Sequence, residues 1–267
     1  MYPLKVMFLD PVGSGAYDQF MADWIKDYKY PSTEAHVTSF DPARIGPITN
    51  LEYRTYEAIV TAEIVRATRQ AANEGFDAMV IGCFYDTALH DAREISGDMI
   101  VVAPCHASIE TALTLANNFS IIVGQYKWVN QMRNTVIHYG YGEKLMSFRH
   151  VNMNVVEFQQ DHDCTRDRLI AASRQAVEED YAESIILGCT LETGFYKELE
   201  EELGVPVIDP SIAAFKAAEH AALLRKQCGW KPSRKWGSEA PPESELAEFG
   251  LFAQPYEFGN RVIVPAN

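Results

Sequence analysis

Positive charge is scarce in this sequence. Lys and Arg number 23 against 37 Asp and Glu, a formal net charge of −14. No basic patch is visible, which argues against nucleic acid or an anionic membrane surface as a partner. Long apolar runs are missing too: none approaches the ~20 residues that a membrane span requires. Met1 to Asp10 turns polar too soon for a signal peptide. Cysteine is sparse and odd in number. The five, at 83, 105, 164, 189 and 228, do not form the framework of a small secreted domain, so reduced thiols in a cytoplasmic protein are expected. A nucleotide signature is also absent. Gly13-Ser-Gly15 lacks the dinucleotide fingerprint and a following Lys, and is expected instead to hold a small anionic or carbonyl group. Asp161-His-Asp-Cys164 is too tightly spaced for structural zinc, and stands before a helix that Asp163 or Thr165 is placed to cap. No metal, pyridoxal or other cofactor is signalled.

What is present is ordinary globular composition, 47% hydrophobic and 22% charged over 267 residues, a length that suggests about two domains. Short apolar runs alternate with helical patterns. Strands are expected at 5–9, 35–40, 78–81, 99–103, 119–123, 148–156, 184–187 and 205–208. Helices are expected over 16–28, over 51–74 with Ala58, Ile59, Ala62, Val65 and Ala72 on one face, and over 165–179. This alternation implies βαβ units, and the continuous apolar runs fit parallel strands buried on both faces.

The chain also repeats itself. Val80-Ile-Gly-Cys83 is followed by a helical stretch, then Ile100-Val-Val-Ala-Pro104. Ile186-Leu-Gly-Cys189 is followed by a helical stretch, then Val205-Pro-Val-Ile-Asp-Pro210. Cysteine and proline stand 21 residues apart in both copies. The expected fold is therefore α/β, with two pseudo-symmetric halves. Each would be a mostly parallel four-stranded sheet flanked by helices, with the active site in the cleft between them. The first half is expected to comprise 1–103 plus 211–227, the second 104–210. Residues 228–267, rich in aromatics, form a C-terminal arm expected to lie over the body or at the interface of a homo-oligomer.

Cys83 and Cys189 each follow a Gly at the end of an expected parallel strand, the edge where open α/β sheets bind ligands. A helix starting nearby would lower the thiol pKa. A single Gly-Cys there is ordinary buried packing; a matched pair suits inversion of a carbon stereocentre. One thiolate removes a proton from one face while a thiol delivers one to the other. Backbone N–H groups at the turns would stabilise the enolate.

These residues resemble the aspartate/glutamate racemase superfamily, and within it the hydantoin/allantoin racemase group, over roughly residues 5–225. Ile81-Gly-Cys-Phe-Tyr-Asp86 is similar to that group's Gly-Cys-Phe-x-Asp, and Leu187-Gly-Cys-Thr190 to the superfamily's second motif. The resemblance implies a cofactor-independent racemase with Cys83 and Cys189 as its acid–base pair. Phe84 and Leu191 replace the residues that mark amino-acid racemases. Asp10 stands where the group has an Asn, Gly124 and Gln125 where it often has a Thr pair, and Cys105-His106 where it has a Gly-rich turn. These departures fall at substrate-contact positions.

A neutral cyclic ureide, a 5-substituted hydantoin or an allantoin-like ring, is the expected small-molecule substrate. Its contacts are expected from Asp10, Ser14, Phe84, Tyr85, Asp86, Cys105, His106, Gly124, Gln125 and Thr190. Tyr126 and Trp128 stand next to these turns. Two other readings stay open: a maleate-type cis–trans isomerase using one nucleophilic cysteine, and a non-catalytic small-molecule binding protein on the same scaffold.

Overall fold

The first apolar run becomes a strand buried on both faces. Val6, Met7, Phe8 and Leu9 of β1 (Leu4–Asp10) have no exposed surface, as expected for a central parallel strand covered by helices. The computed structural model describes residues 2–267. After β1 come α1 (Asp18–Tyr28), β2 (Thr33–Ser39), α2 (Pro42–Ile45), α3 (Arg54–Asn73), β3 (Ala78–Ile81), α4 (Leu89–Ile95) and β4 (Ile100–Val102). Then follow α5 (Pro104–Leu115), β5 (Phe119–Val123), α6 (Tyr126–His138), β6 (Leu145–His150), α7 (His162–Glu178), β7 (Ile185–Leu187), α8 (Tyr196–Leu203) and β8 (Val207–Ile208). The chain ends with α9 (Pro210–Cys228), α10 (Glu243–Glu248) and β9 (Asn260–Val264).

Two units form. One comprises the chain up to Gly82, Thr87–Val102 and Phe215–Asn267; the other comprises Cys83–Asp86 and Ala103–Ala214. The first contains a sheet of order β4-β3-β1-β2-β9, parallel except for β9, which runs antiparallel to β2. The second contains an all-parallel sheet of order β6-β5-β7-β8. In both, the chain leaves a strand for a neighbour on one side and next returns to its other side. The switch points lie between β1 and β3, and between β5 and β7. Ligands in open α/β sheets bind at such points, beyond the carboxyl ends of the strands.

Several expectations need correction. The first sheet has five strands, not four, because the C-terminal segment supplies β9 (Ala35 opposite Val264, Ser39 opposite Asn260). That segment belongs to the first unit. Helix α3 buries a different face: Val60, Ile64, Ala67 and Ala71 face inward, while Ile59 is half exposed. Alanine and valine occur all around this helix. The inward face also carries Glu57 and Glu63, which find partners in Thr87, Arg44 and Arg66, so packing and polar satisfaction chose it. Strand β6 starts earlier than expected and ends at His150. As an edge strand it is half exposed, so its polar residues do not mark its end. Helix α7 starts at His162 and is capped by Asp161, which accepts the Cys164 N–H at 3.0 Å. Among the described residues, no helix is long and apolar enough to cross a membrane.

Candidate functional site

The two Gly-Cys pairs follow the inner strands of the two switch points, and the glycine has the same cause in both. Gly82 donates its N–H to the Leu9 carbonyl at 2.7 Å, and Gly188 donates to the Ile122 carbonyl at 2.7 Å. A Cβ on Gly82 would lie 2.8 Å from the Leu9 oxygen; one on Gly188 would lie 2.5 Å from the Ile122 oxygen. Only glycine lets the neighbouring strand approach so closely. The cysteine that follows sits just past the sheet edge. Cys83 and Cys189 are both buried and belong to the same unit. None of the five cysteines forms a disulfide.

Neither cysteine leads directly into an α-helix. Cys83 opens a turn in which the Asp86 N–H donates to its carbonyl, and α4 begins only at Leu89. Cys189 caps the single 3₁₀ turn Thr190–Glu192, and α8 begins at Tyr196. A helix dipole acts within about one turn, so the expected activation by a following helix is not what this geometry supplies.

Two helix N-termini are tied to these turns, those of α5 and α9, which start at Pro104 and Pro210. Each is taken by a protein carboxylate. Asp86 accepts the Cys105 N–H at 2.8 Å, the His106 N–H at 3.0 Å and the Tyr139 hydroxyl at 2.8 Å. It holds this position with a left-handed backbone, φ +54°. Asp209 accepts the N–H groups of Ser211 and Ile212 at 3.0 and 3.2 Å on one oxygen. Its other oxygen accepts the Thr193 hydroxyl and the Gly194 N–H at 2.7 and 2.9 Å. The Ser211 hydroxyl donates to the Thr190 carbonyl at 3.0 Å. Each cysteine turn is thereby tied to the helix that follows the next strand of its repeat.

The other candidate residues are placed as follows. Phe84 is buried and Tyr85 is half-buried beside Cys83; Thr190 is buried beside Cys189. The side chain of Cys105 has no exposed surface, and burial, reinforced by Asp86, pushes its thiol pKa well above the usual range. His106 packs edge-on against Tyr139 and lies 3.4 Å from Glu110. Gly124 is buried beneath Trp128 and the Met153 carbonyl. Gln125 caps α6 at its backbone and reaches Asn154. Tyr126, by contrast, is largely exposed.

Asp10 and Ser14 lie in the first unit. Burial, with Asp18 nearby, holds the Asp10 carboxyl well above the usual carboxylate range. Asp18 is gripped by the Ser39 hydroxyl and the Asn260 amide, both at 2.8 Å. The Ser14 hydroxyl accepts the Ala16 N–H at 3.3 Å.

Sequence reasoning missed three residues. Asp209 carried a readable signal, an Asp directly before the helix-opening Pro210. Tyr139 carried none. Glu192 stands three residues after Cys189, as Asp86 does after Cys83, but is fully buried. Burial pushes its carboxyl well up against the opposing pull of the Gly188 and Cys189 N–H groups.

Residues 6–218 match the model of a family described as Asp/Glu/Hydantoin racemase. A hydantoin racemase from Paenarthrobacter aurescens is 31% identical over 243 residues, covering 91% of this chain and 99% of that one. A hydantoin racemase from Pseudomonas sp. is 31% identical over 218 residues, 82% of this chain and 86% of that one. In structure, allantoin racemase from Klebsiella pneumoniae superposes with a TM-score of 0.83 at 23% identity, covering 95% of this chain and 100% of that one.

Proposed function

Because the chain belongs to the Asp/Glu/hydantoin racemase family, we propose that it racemises a small cyclic ureide, a 5-substituted hydantoin or an allantoin-like ring, with Cys83 and Cys189 as its acid–base pair. The observation that carries this reading is the twinning of the two turns. Each has a glycine admitted by a neighbouring carbonyl, then a cysteine, then a buried carboxylate tying the turn to a helix start. One cysteine, as thiolate, takes the proton from the ring carbon next to the carbonyl. The other, as thiol, returns a proton to the opposite face, and the roles exchange in the reverse direction. The negative charge passes to the carbonyl oxygen, where N–H groups of the turns meet it.

The charge of the candidate residues supports a neutral ring. They include Asp10 and Asp86 but no Lys or Arg. The α5 and α9 N-termini, natural anion sites, are already spent on Asp86 and Asp209. The raised pKa of Asp10 favours its protonated form, and when protonated the carboxyl would donate one hydrogen bond and accept another, as an amide would, which suits a ring that presents both C=O and N–H.

Racemisation in D₂O should place deuterium at the ring stereocentre. Cys83→Ser and Cys189→Ser should each lower kcat by roughly 10²–10⁴, with exchange from one face surviving in one or both. Full-rate racemisation by either variant would exclude the two-cysteine scheme. A covalent thiol adduct on an alkene diacid, without proton exchange, would favour an isomerase of the maleate type instead.

A further inference from the structure

A groove of about 870 Å³ lies in the first unit, between α3 and the loop 250–256. Its size is within the range of small-molecule sites. The loop lies beyond residue 218, where the family match ends, and the groove is lined by none of the candidate racemase residues.

The groove gathers Arg44, Arg66 and Arg69 in a chain of net charge −14. Arg69 is neutralised by a two-pronged pair with Glu243, at 3.0 and 2.6 Å. Arg44 and Arg66 share one carboxylate. Arg44 gives only Nε to Glu63, at 2.7 Å, and Arg66 gives only Nη1. Asp41 lies close enough to act on Arg44 as well, but both arginines keep guanidinium N–H groups that no protein acceptor takes. Beside them the Tyr256 hydroxyl is buried and has no hydrogen-bond partner, though the residue is only 9% exposed. Arg44 lies over the Tyr256 ring at 4.7 Å, and Arg69 over the Phe252 ring at 5.0 Å. Phe252 itself adopts a left-handed backbone, φ +60°. For a residue with a large side chain this is a strained state, of a kind concentrated at binding sites.

A buried phenol without an acceptor, next to a half-used pair of guanidiniums, is complementary to an oxyanion. The adjacent aromatic ring suits an apolar body. We propose that this groove binds a small organic anion, with its carboxylate or phosphate held by Arg44, Arg66 and the Tyr256 hydroxyl and its apolar part lying against Phe252.

Benzoate and phenyl phosphate, titrated calorimetrically into the full-length protein at constant ionic strength, distinguish the two anionic groups; phenol and chloride are the controls. At least one of the two anions should bind saturably at a single site per chain. Arg66→Gln should weaken that binding by about tenfold or more, and Tyr256→Phe by several-fold. Neither variant should alter racemisation without the anion. The proposal is overturned if neither anion saturates, if phenol binds as tightly as the anions, or if both variants bind like the parent protein. Tyr256→Phe removes one oxygen only, so it decides the matter should Arg66→Gln fail to fold.

Discussion

Asp86 and Asp209 perform the same task from opposite ends of the repeat. Each carboxylate takes the N–H groups of the second and third residues of a helix that opens with proline, and each joins that helix to a cysteine turn. Asp86 sits on the turn and reaches the helix. Asp209 sits at the helix start and reaches the turn. The two copies of the repeat thus share the link but differ in where the residue that makes it stands.

If that link holds the Cys83 turn, Asp86→Asn should be costly. An amide offers one acceptor oxygen to three donors and adds N–H groups facing them. A loss of about 2–3 kcal/mol is expected in urea unfolding. Tyr139→Phe, which removes one donor, should cost about 1 kcal/mol. The double variant should lose less than the sum, because both act on one carboxylate. An Asp86→Asn protein as stable as the parent would show the cap to be dispensable.

Gly82→Ala and Gly188→Ala should each destabilise by about 1–3 kcal/mol, the usual cost of forcing an added methyl group into a packed interior. They should also depress activity by displacing the following cysteine. Gly237, with open space around it and no positive φ, is the control: Gly237→Ala should stay within about 0.5 kcal/mol of the parent.

Glu192 and Asp10 both have raised pKa values from burial. Folding therefore takes up protons once the pH exceeds the unfolded values of 4.5 for Glu192 and 3.8 for Asp10. Their unfavourable contribution grows as pH rises toward the folded pKa and vanishes in acid. Glu192→Gln and Asp10→Asn should raise the Tm at pH 8 relative to the parent, with the gain disappearing near pH 4. A pH-independent difference in Tm would argue against neutral carboxyls at these sites. Asp10→Asn should also retain racemisation.

Asn260 anchors β9 to Asp18, whose second oxygen has no partner. Asn260→Ala should cost about 1–2 kcal/mol. It should also speed proteolytic cleavage within residues 229–259 before the body of the protein is cut. Unchanged cleavage would show that the ladder with β2 alone holds the segment.

The α/β class, the parallel pairing and the twinned Gly-Cys turns were legible in the sequence, because each depends on local pattern: apolar runs, helical periods, a glycine before a cysteine, a fixed spacing to proline. The family resemblance rested on the same residues. Tertiary structure decided what depends on partners distant in the chain. It chose the buried face of α3, where alanine and valine occur on all sides and only the partners of Glu57 and Glu63 break the tie. It turned the C-terminal segment into a fifth strand, because β2 had an edge to cover. It gave the helix starts at Pro104 and Pro210 to Asp86 and Asp209, so the cysteine turns are braced by carboxylates rather than activated by a helix of their own. Hydrogen bonds between residues far apart in sequence leave no periodic trace, and that is why these features appeared only when the chain was folded.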